Sequence, residues 1–154
     1  MIAVSLDELS KTERGLVARS RAVRLKAYAP YSRFKVGAVA VAASGRAYAG
    51  CNVESSDYTL TTHAEMNAIN AMVSAGELSL SAIVVCLSAE KGPPVPCGLC
   101  RQKMVEFAGP EGVKILCVGL DAKDGIRRIF RTTLAELLPV PFSSRNLGRP
   151  GTSR

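Results

Sequence analysis

Residues 113–131 read VKILCVGLDAKDGIRRIFR, and the architecture turns on them. The run 113–120 is almost wholly apolar, as expected of a buried strand, and 126–131 reads as a further strand. Only the five residues 121–125 separate the two. A parallel crossover needs about a dozen residues or more, so the second strand must return antiparallel to the first. Upstream, 80–87 reads as another buried strand, joined to 113–120 through a helix expected at 97–108. That connection is long enough for a crossover, so these two strands are expected to be parallel and the sheet mixed.

Working outward, Ser5 and Glu8 have the spacing of a capping box, predicting a helix from there to about Ala27 with Leu6, Leu9, Leu16, Val17, Val23 and Leu25 among its apolar positions. Pro30 breaks the chain. A strand at 34–43, a turn at Ser44-Gly45-Arg46 and a returning strand at 47–53 make a hairpin. Residues 63–75 read as a helix stopped by Gly76, and 133–138 as a short helix. Five strands interleaved with helices predict a layered α/β domain. The expected division is one domain over 1–147 and a flexible tail over 148–154, rich in Gly, Pro, Ser and Arg.

The chain has 154 residues, 47% hydrophobic and 21% charged, a normal balance for a globular domain. A domain of about 150 residues buries roughly 70% of its unfolded surface, enough for a core without disulfides. No secretory signal or membrane-length apolar run is visible, so a cytoplasmic, membrane-free protein is expected. The net charge of +7 raises a nucleic-acid partner, carried by Arg14, Arg19, Arg21, Arg24 and Lys26 early and Arg127, Arg128, Arg131, Arg145 and Arg149 late. With four Phe, four Tyr and no Trp, a stacking platform for bases is poorly supplied, and a solvated basic surface is the better reading. Of five cysteines, Cys51, Cys86 and Cys117 lie in strand-like surroundings and read as buried small hydrophobes.

Cys97 and Cys100 differ. They form Pro96-Cys97-Gly98-Leu99-Cys100 at the start of one predicted helix, while the sole histidine stands in His63-Ala64-Glu65 at the start of the preceding one. Either motif alone has a plain structural or redox reading. Together, in this order, they are the pattern of a zinc-dependent deaminase. One imidazole and two thiolates hold Zn²⁺ and leave a fourth tetrahedral position for water, whose pKa the metal lowers from about 15.7 toward roughly 7. Glu65, not needed as a ligand, is placed to take a proton from that water, protonate ring N3 and later protonate the departing amine. A structural zinc would need a fourth protein ligand, and no remaining Cys or carboxylate has a metal-like spacing.

Further stretches extend the match. Tyr31-Ser32-Arg33-Phe34-Lys35-Val36-Gly37-Ala38, Gly50-Cys51-Asn52-Val53-Glu54, Pro96-Cys97-Gly98-Leu99-Cys100-Arg101-Gln102 and Glu136-Leu137-Leu138-Pro139 followed by Phe142 resemble motifs of the cytidine deaminase family. The resemblance implies a three-layer α/β/α sandwich with a mixed five-stranded sheet whose fifth strand is antiparallel. It implies one zinc per chain on His63, Cys97 and Cys100, with Glu65 catalytic. Phe34 would stack on the cytosine ring, Asn52 and Glu54 would bind the ribose 3′-hydroxyl, and Ala64 with Glu65 would address the pyrimidine edge. Tyr58 would stand near the site and Phe142 would reach a neighbouring subunit's pocket, implying a homo-oligomer, a tetramer before a dimer.

Short tetrameric members of the family commonly read C-A-E-R, where this chain has His63-Ala64-Glu65-Met66. Two thiolates neutralise Zn²⁺ where three leave one negative charge, so an arginine to offset that charge is unnecessary and Met66 can take its place. Ser55-Ser56-Asp57 also replaces the usual N-A-S before Tyr58. The function expected is deamination of cytidine and deoxycytidine in pyrimidine salvage. The alternatives are deamination of a modified or antibiotic cytosine nucleoside, an editing deaminase on tRNA or polynucleotide, and an inactive zinc-binding module. Asn52 and Glu54, the Cys-Arg-Gln continuation and the short 121–125 connection disfavour polynucleotide editing, and the presence of Glu65 disfavours inactivity.

Overall fold

The computed structural model describes residues 1–89 and 92–148. Strands β1 (Ile2–Val4), β2 (Val36–Ala42), β3 (Ala47–Cys51), β4 (Leu80–Ser88), β5 (Lys114–Leu120) and β6 (Ile126–Thr133) form one sheet in the order β1-β6-β5-β4-β2-β3. Helices α1 (Lys11–Arg24), α2 (Ala64–Ser74), α3 (Gly98–Phe107) and α4 (Leu134–Leu137) and a 3₁₀ turn (Ser144–Leu147) complete the described elements. Of the tail expected over 148–154, residues 149–154 lie outside the described residues.

Residues 121–125 make a hairpin, with β6 antiparallel to β5 from Lys114↔Thr133 to Leu120↔Ile126. The turn is held by Asp121, whose Oδ1 accepts from the amides of Lys123 (2.8 Å) and Gly125 (2.9 Å). Strands β4 and β5, joined through α3, are parallel as expected. The remaining pairings are antiparallel.

Two helical layers sandwich the sheet. On one face Ala38, Ala40, Ile83, Val85, Ile115 and Cys117 pack against Ala64, Ala68, Ile69 and Met72 of α2 and Cys100 and Met104 of α3. On the other, Val84, Cys86, Leu116, Val118 and Ile129 meet Leu9 and Val17 at α1. Two glycines set how closely helices approach. A Cβ on Gly37 would lie 2.1 Å from the Ser20 carbonyl oxygen, and one on Gly50 would lie 2.3 Å from the Ala68 nitrogen. Both strands therefore need a residue without a side chain there.

The sheet has six strands rather than the expected five. Ile2–Val4 adds to the outer edge of β6 with Ala3 opposite Phe130, a run too short to show any period in sequence. The first helix also starts later than expected. Ser10 accepts from the Glu13 amide and Glu13 returns to the Ser10 amide, so the effective capping box is Ser10–Glu13. Ser5 and Glu8 pair within a turn instead, Ser5 N donating to Glu8 at 2.6 Å. No helix among the described residues is long and apolar enough to cross a membrane.

Candidate metal centre and nucleoside cavity

The N-termini of α2 and α3 converge. His63 caps α2 and Cys97 caps α3, both in extended backbone and neither using its side chain for capping, so imidazole and thiol are free to point elsewhere. His63 Nδ1 stands 3.3 Å from Cys97 Sγ and 3.3 Å from Cys100 Sγ, and the three ligand atoms lie within 4.8 Å of one another. Tetrahedral zinc with ordinary Zn–N and Zn–S bonds separates such atoms by ~3.5 Å, so the donor set fits the ion. Cys100 is buried, and burial first, then the charges of Glu65 and Cys97, push its thiol far up. Its thiolate therefore forms only against a compensating cation, as a zinc ligand does. Cys97 is exposed and His63 half-buried, so the open side of the cluster faces outward.

That side opens on a cavity of about 310 Å³ lined by Ser32, Phe34, Val36, Asn52, Glu54, Thr61, His63, Ala64, Glu65, Leu87, Val95 and Cys97. It sits where β4 ends and β2 begins, the end of a sheet at which α/β folds bind ligands. Glu65, in the first turn of α2, is 4% exposed. Burial pushes its carboxyl above the ordinary carboxylate range, opposed by its own backbone N–H, Cys100 and His63. A proton is thus held readily beside the metal ligands.

Opposite them stand Asn52 and Glu54, both buried. Asn52 Oδ1 accepts from the Val36 amide (2.8 Å) and its Nδ2 donates to the Phe34 carbonyl (2.9 Å), fixing the backbone on both sides of Lys35. Glu54 accepts from the amides of Tyr31 (2.9 Å) and Ser32 (3.2 Å) and from the Ser32 hydroxyl. The Ser32 hydroxyl first, then these amides, hold its carboxyl below the usual range. A carboxylate offers about four lone-pair sites and an amide two donors, so each side chain keeps capacity for a hydroxyl in the cavity. Phe34 lines the same cavity and is 45% exposed, leaving a ring face open.

Of the residues expected at the site, His63, Ala64, Glu65, Cys97, Phe34, Asn52 and Glu54 line one cavity, with Cys100 buried beneath. Tyr58 and Phe142 do not line it; they are 62% and 58% exposed, and Tyr58 instead meets Tyr31 with ring centroids 5.9 Å apart. Sequence reasoning passed over several supporting residues. Gly50 lets α2 lie on β3, and Asn67 Nδ2 ties α2 to the Cys51 carbonyl (2.8 Å) and the Thr62 hydroxyl (3.0 Å). Arg24, grouped with the solvated basic surface, is buried instead. It donates to the Lys35 carbonyl (3.0 Å), Asp124 (2.8 Å) and Ser88 (2.8 Å). A buried arginine is stable only when so partnered, but the partners are remote in sequence and left no local signal.

A family model for the cytidine and deoxycytidylate deaminase zinc-binding region matches residues 10–117. The chain belongs to the cytidine deaminase family. It is 41% identical over 133 residues to the cytidine deaminase of Sporosarcina psychrophila, covering 86% of this chain and 92% of that one. It is 36% identical over 132 residues to that of Halalkalibacterium halodurans, covering 86% and 95%. Among solved structures, cytidine deaminase from Burkholderia pseudomallei superposes with a TM-score of 0.73 at 36% identity over 87% of this chain and all of that one. The Mycobacterium tuberculosis cytidine deaminase does so with a TM-score of 0.66 at 36% identity, covering 85% and 97%. The cofactor of this family member is one zinc ion, for which His63, Cys97 and Cys100 are the donor set.

Proposed function

We propose that this zinc-dependent cytidine deaminase acts on free cytidine and deoxycytidine, releasing ammonia to give uridine and deoxyuridine in pyrimidine salvage. The observation that carries the reading is that the His63, Cys97 and Cys100 donor atoms lie together where His63, Cys97 and buried Glu65 line a single cavity. At about 310 Å³ that cavity is at the small end of the roughly 300–1,000 Å³ typical of small-molecule sites, which suits one nucleoside.

Zinc bound at these ligands supplies a water acidic enough to lose its proton near neutral pH. Glu65 would take one proton from a water held there and pass it to ring N3, then carry the second, from the hydroxyl that the water adds to the ring carbon, to the departing exocyclic amine. Its burial favours the protonated form through which such a relay passes. Phe34 stacks on the base, and Asn52 and Glu54 hold the ribose 3′-hydroxyl. The unit responsible spans residues 1–147 and works in the cytoplasm as a homotetramer. Phe142 supports that assembly, because it is exposed and stands apart from its own chain's cavity.

The test is loss of cytosine ultraviolet absorbance when zinc-loaded protein meets cytidine or deoxycytidine, with Glu65→Gln beside it. Wild type should convert both substrates. The variant should keep one zinc per chain and lose about 10²–10⁴-fold in turnover, the usual worth of a positioned acid–base group. Absence of conversion by zinc-loaded wild type, or full turnover by the variant, would refute the assignment.

A further inference from the structure

Arg101 follows the second cysteine ligand on α3 and faces two ways. Its backbone N–H donates to the Cys97 carbonyl (3.0 Å) and its Nε to the Pro96 carbonyl (2.7 Å). One residue therefore holds the carbonyls on both sides of the Cys97 α-carbon. Cys97 has no side-chain cap and is exposed, so its orientation depends on this backbone. The Pro96 ring limits rotation before that point, and the bond to its carbonyl limits rotation after it.

In the other direction, Arg101 Nη1 donates to the Leu137 carbonyl (2.9 Å) at the last residue of α4. A helix end leaves carbonyls without intrahelical partners, and Arg101 supplies one. Gln102, its neighbour, donates from Nε2 to the Phe142 carbonyl (2.8 Å). Two consecutive side chains of the ligand-bearing helix thus lace down the chain from Leu137 to Phe142. The laced segment is anchored at its start, where Thr133 and Glu136 form a capping box at the end of β6.

We propose that Arg101 is a positioning residue for the metal centre, and that through Arg101 and Gln102 metal occupancy is coupled to docking of segment 137–142. The inference rests on the reading of His63, Cys97 and Cys100 as the metal ligands. Fixing Cys97 on a metal fixes the Pro96 carbonyl, which orients the guanidinium and hence the Leu137 carbonyl. The coupling runs equally in reverse, because linkage between two binding events is reciprocal. Detachment of segment 137–142 weakens the metal site, and an empty metal site loosens the segment.

The experiment is titration of the metal-stripped full chain with Co²⁺, followed by thiolate-to-metal absorption, in wild type, Arg101→Lys, Arg101→Ala and Gln102→Ala. Exchange at the three amides that 138–142 carries, those of Leu138, Val140 and Phe142, is followed with and without Co²⁺. Arg101→Ala should bind Co²⁺ ~10–100-fold more weakly, as expected for loss of a group that orients a ligand, with Arg101→Lys and Gln102→Ala less affected. In wild type, Co²⁺ should slow exchange at 138–142, and Arg101→Lys should diminish that slowing. Equal Co²⁺ affinity across the variants, or wild-type exchange indifferent to bound Co²⁺, would overturn the proposal. Should Arg101→Ala not fold, Arg101→Lys and the wild-type exchange carry the test. Failure of wild type to bind Co²⁺ at all would sink the ligand assignment instead, and so separates the two readings.

Discussion

His63 is the residue on which the charge of the site turns. With a neutral imidazole and two thiolates the donor set matches a divalent cation without surplus. Met66, one turn of α2 from His63, is half-buried against the core formed by α2, α3 and the sheet. An arginine there would bring an uncompensated charge into apolar surroundings. Met66→Arg should therefore lower the melting temperature and leave kcat unchanged or reduced. A clear rise in kcat would show that the His63 site carries a negative charge awaiting compensation. Asn52 and Glu54 make the complementary point. Each is partly committed to its own chain, and what remains is available to a ligand.

At the scale of elements, the site is two helix N-termini brought to one end of a sheet, and the approach of α2 is set by Gly50. A Cβ there would fall 2.3 Å from the Ala68 nitrogen and 2.6 Å from the Ala64 carbonyl oxygen, both backbone atoms that cannot rotate aside. Gly50→Ala must push α2 off β3, moving His63 and Glu65 relative to Cys97. The expected cost is about 1–3 kcal/mol, the range for overpacking a well-filled core, together with weaker zinc binding. Unaltered unfolding and metal content would show that α2 shifts without cost. The motif containing Gly50 was visible in sequence, but its reason was not, since Gly50 and Ala68 meet only once the strand and helix are packed.

Across the whole molecule, α1 is tied to β6, the strand next to the sheet's β1 edge. Arg131 of β6 donates to Glu13 of α1 (3.0 Å) and to the Glu8 carbonyl (2.9 Å). The Arg131 hydrogen bond first, helped by the Ser10 capping bonds, holds the Glu13 carboxyl at about 2, down from 4.5. A carboxyl depressed on folding contributes stability that is full above its unfolded pKa and is lost as the pH falls toward its folded one. Glu13 should therefore stabilise the fold above pH about 4.5 and progressively less down to about 2. Because both partners are partly exposed, water screens the pair, and Glu13→Gln should cost about 1 kcal/mol near neutrality. Denaturant unfolding from pH 7 to 2 should show the gap between wild type and variant closing across that window. A gap that stays constant would mean that Glu13 contributes through capping geometry and not through charge.

The sequence by itself determined what depends on local order. The five-residue link at 121–125 is too short for a crossover, and this alone made β6 antiparallel. The three metal ligands and Glu65 were legible because chemistry restricts their types and helix starts restrict their spacing. Tertiary structure decided the rest. Strand β1 exists because β6 presents an open edge to three residues without a period of their own. The first helix begins at Lys11 because the chain before it is used in that strand and a turn, leaving Ser10 to cap. Arg24 reads as a surface charge until Asp124, 100 residues away, supplies an oxygen that makes its burial tolerable, and Arg101, legible only as part of a motif, finds the Leu137 carbonyl 36 residues on. Such partners are set by three-dimensional packing, and no local pattern of residues encodes them.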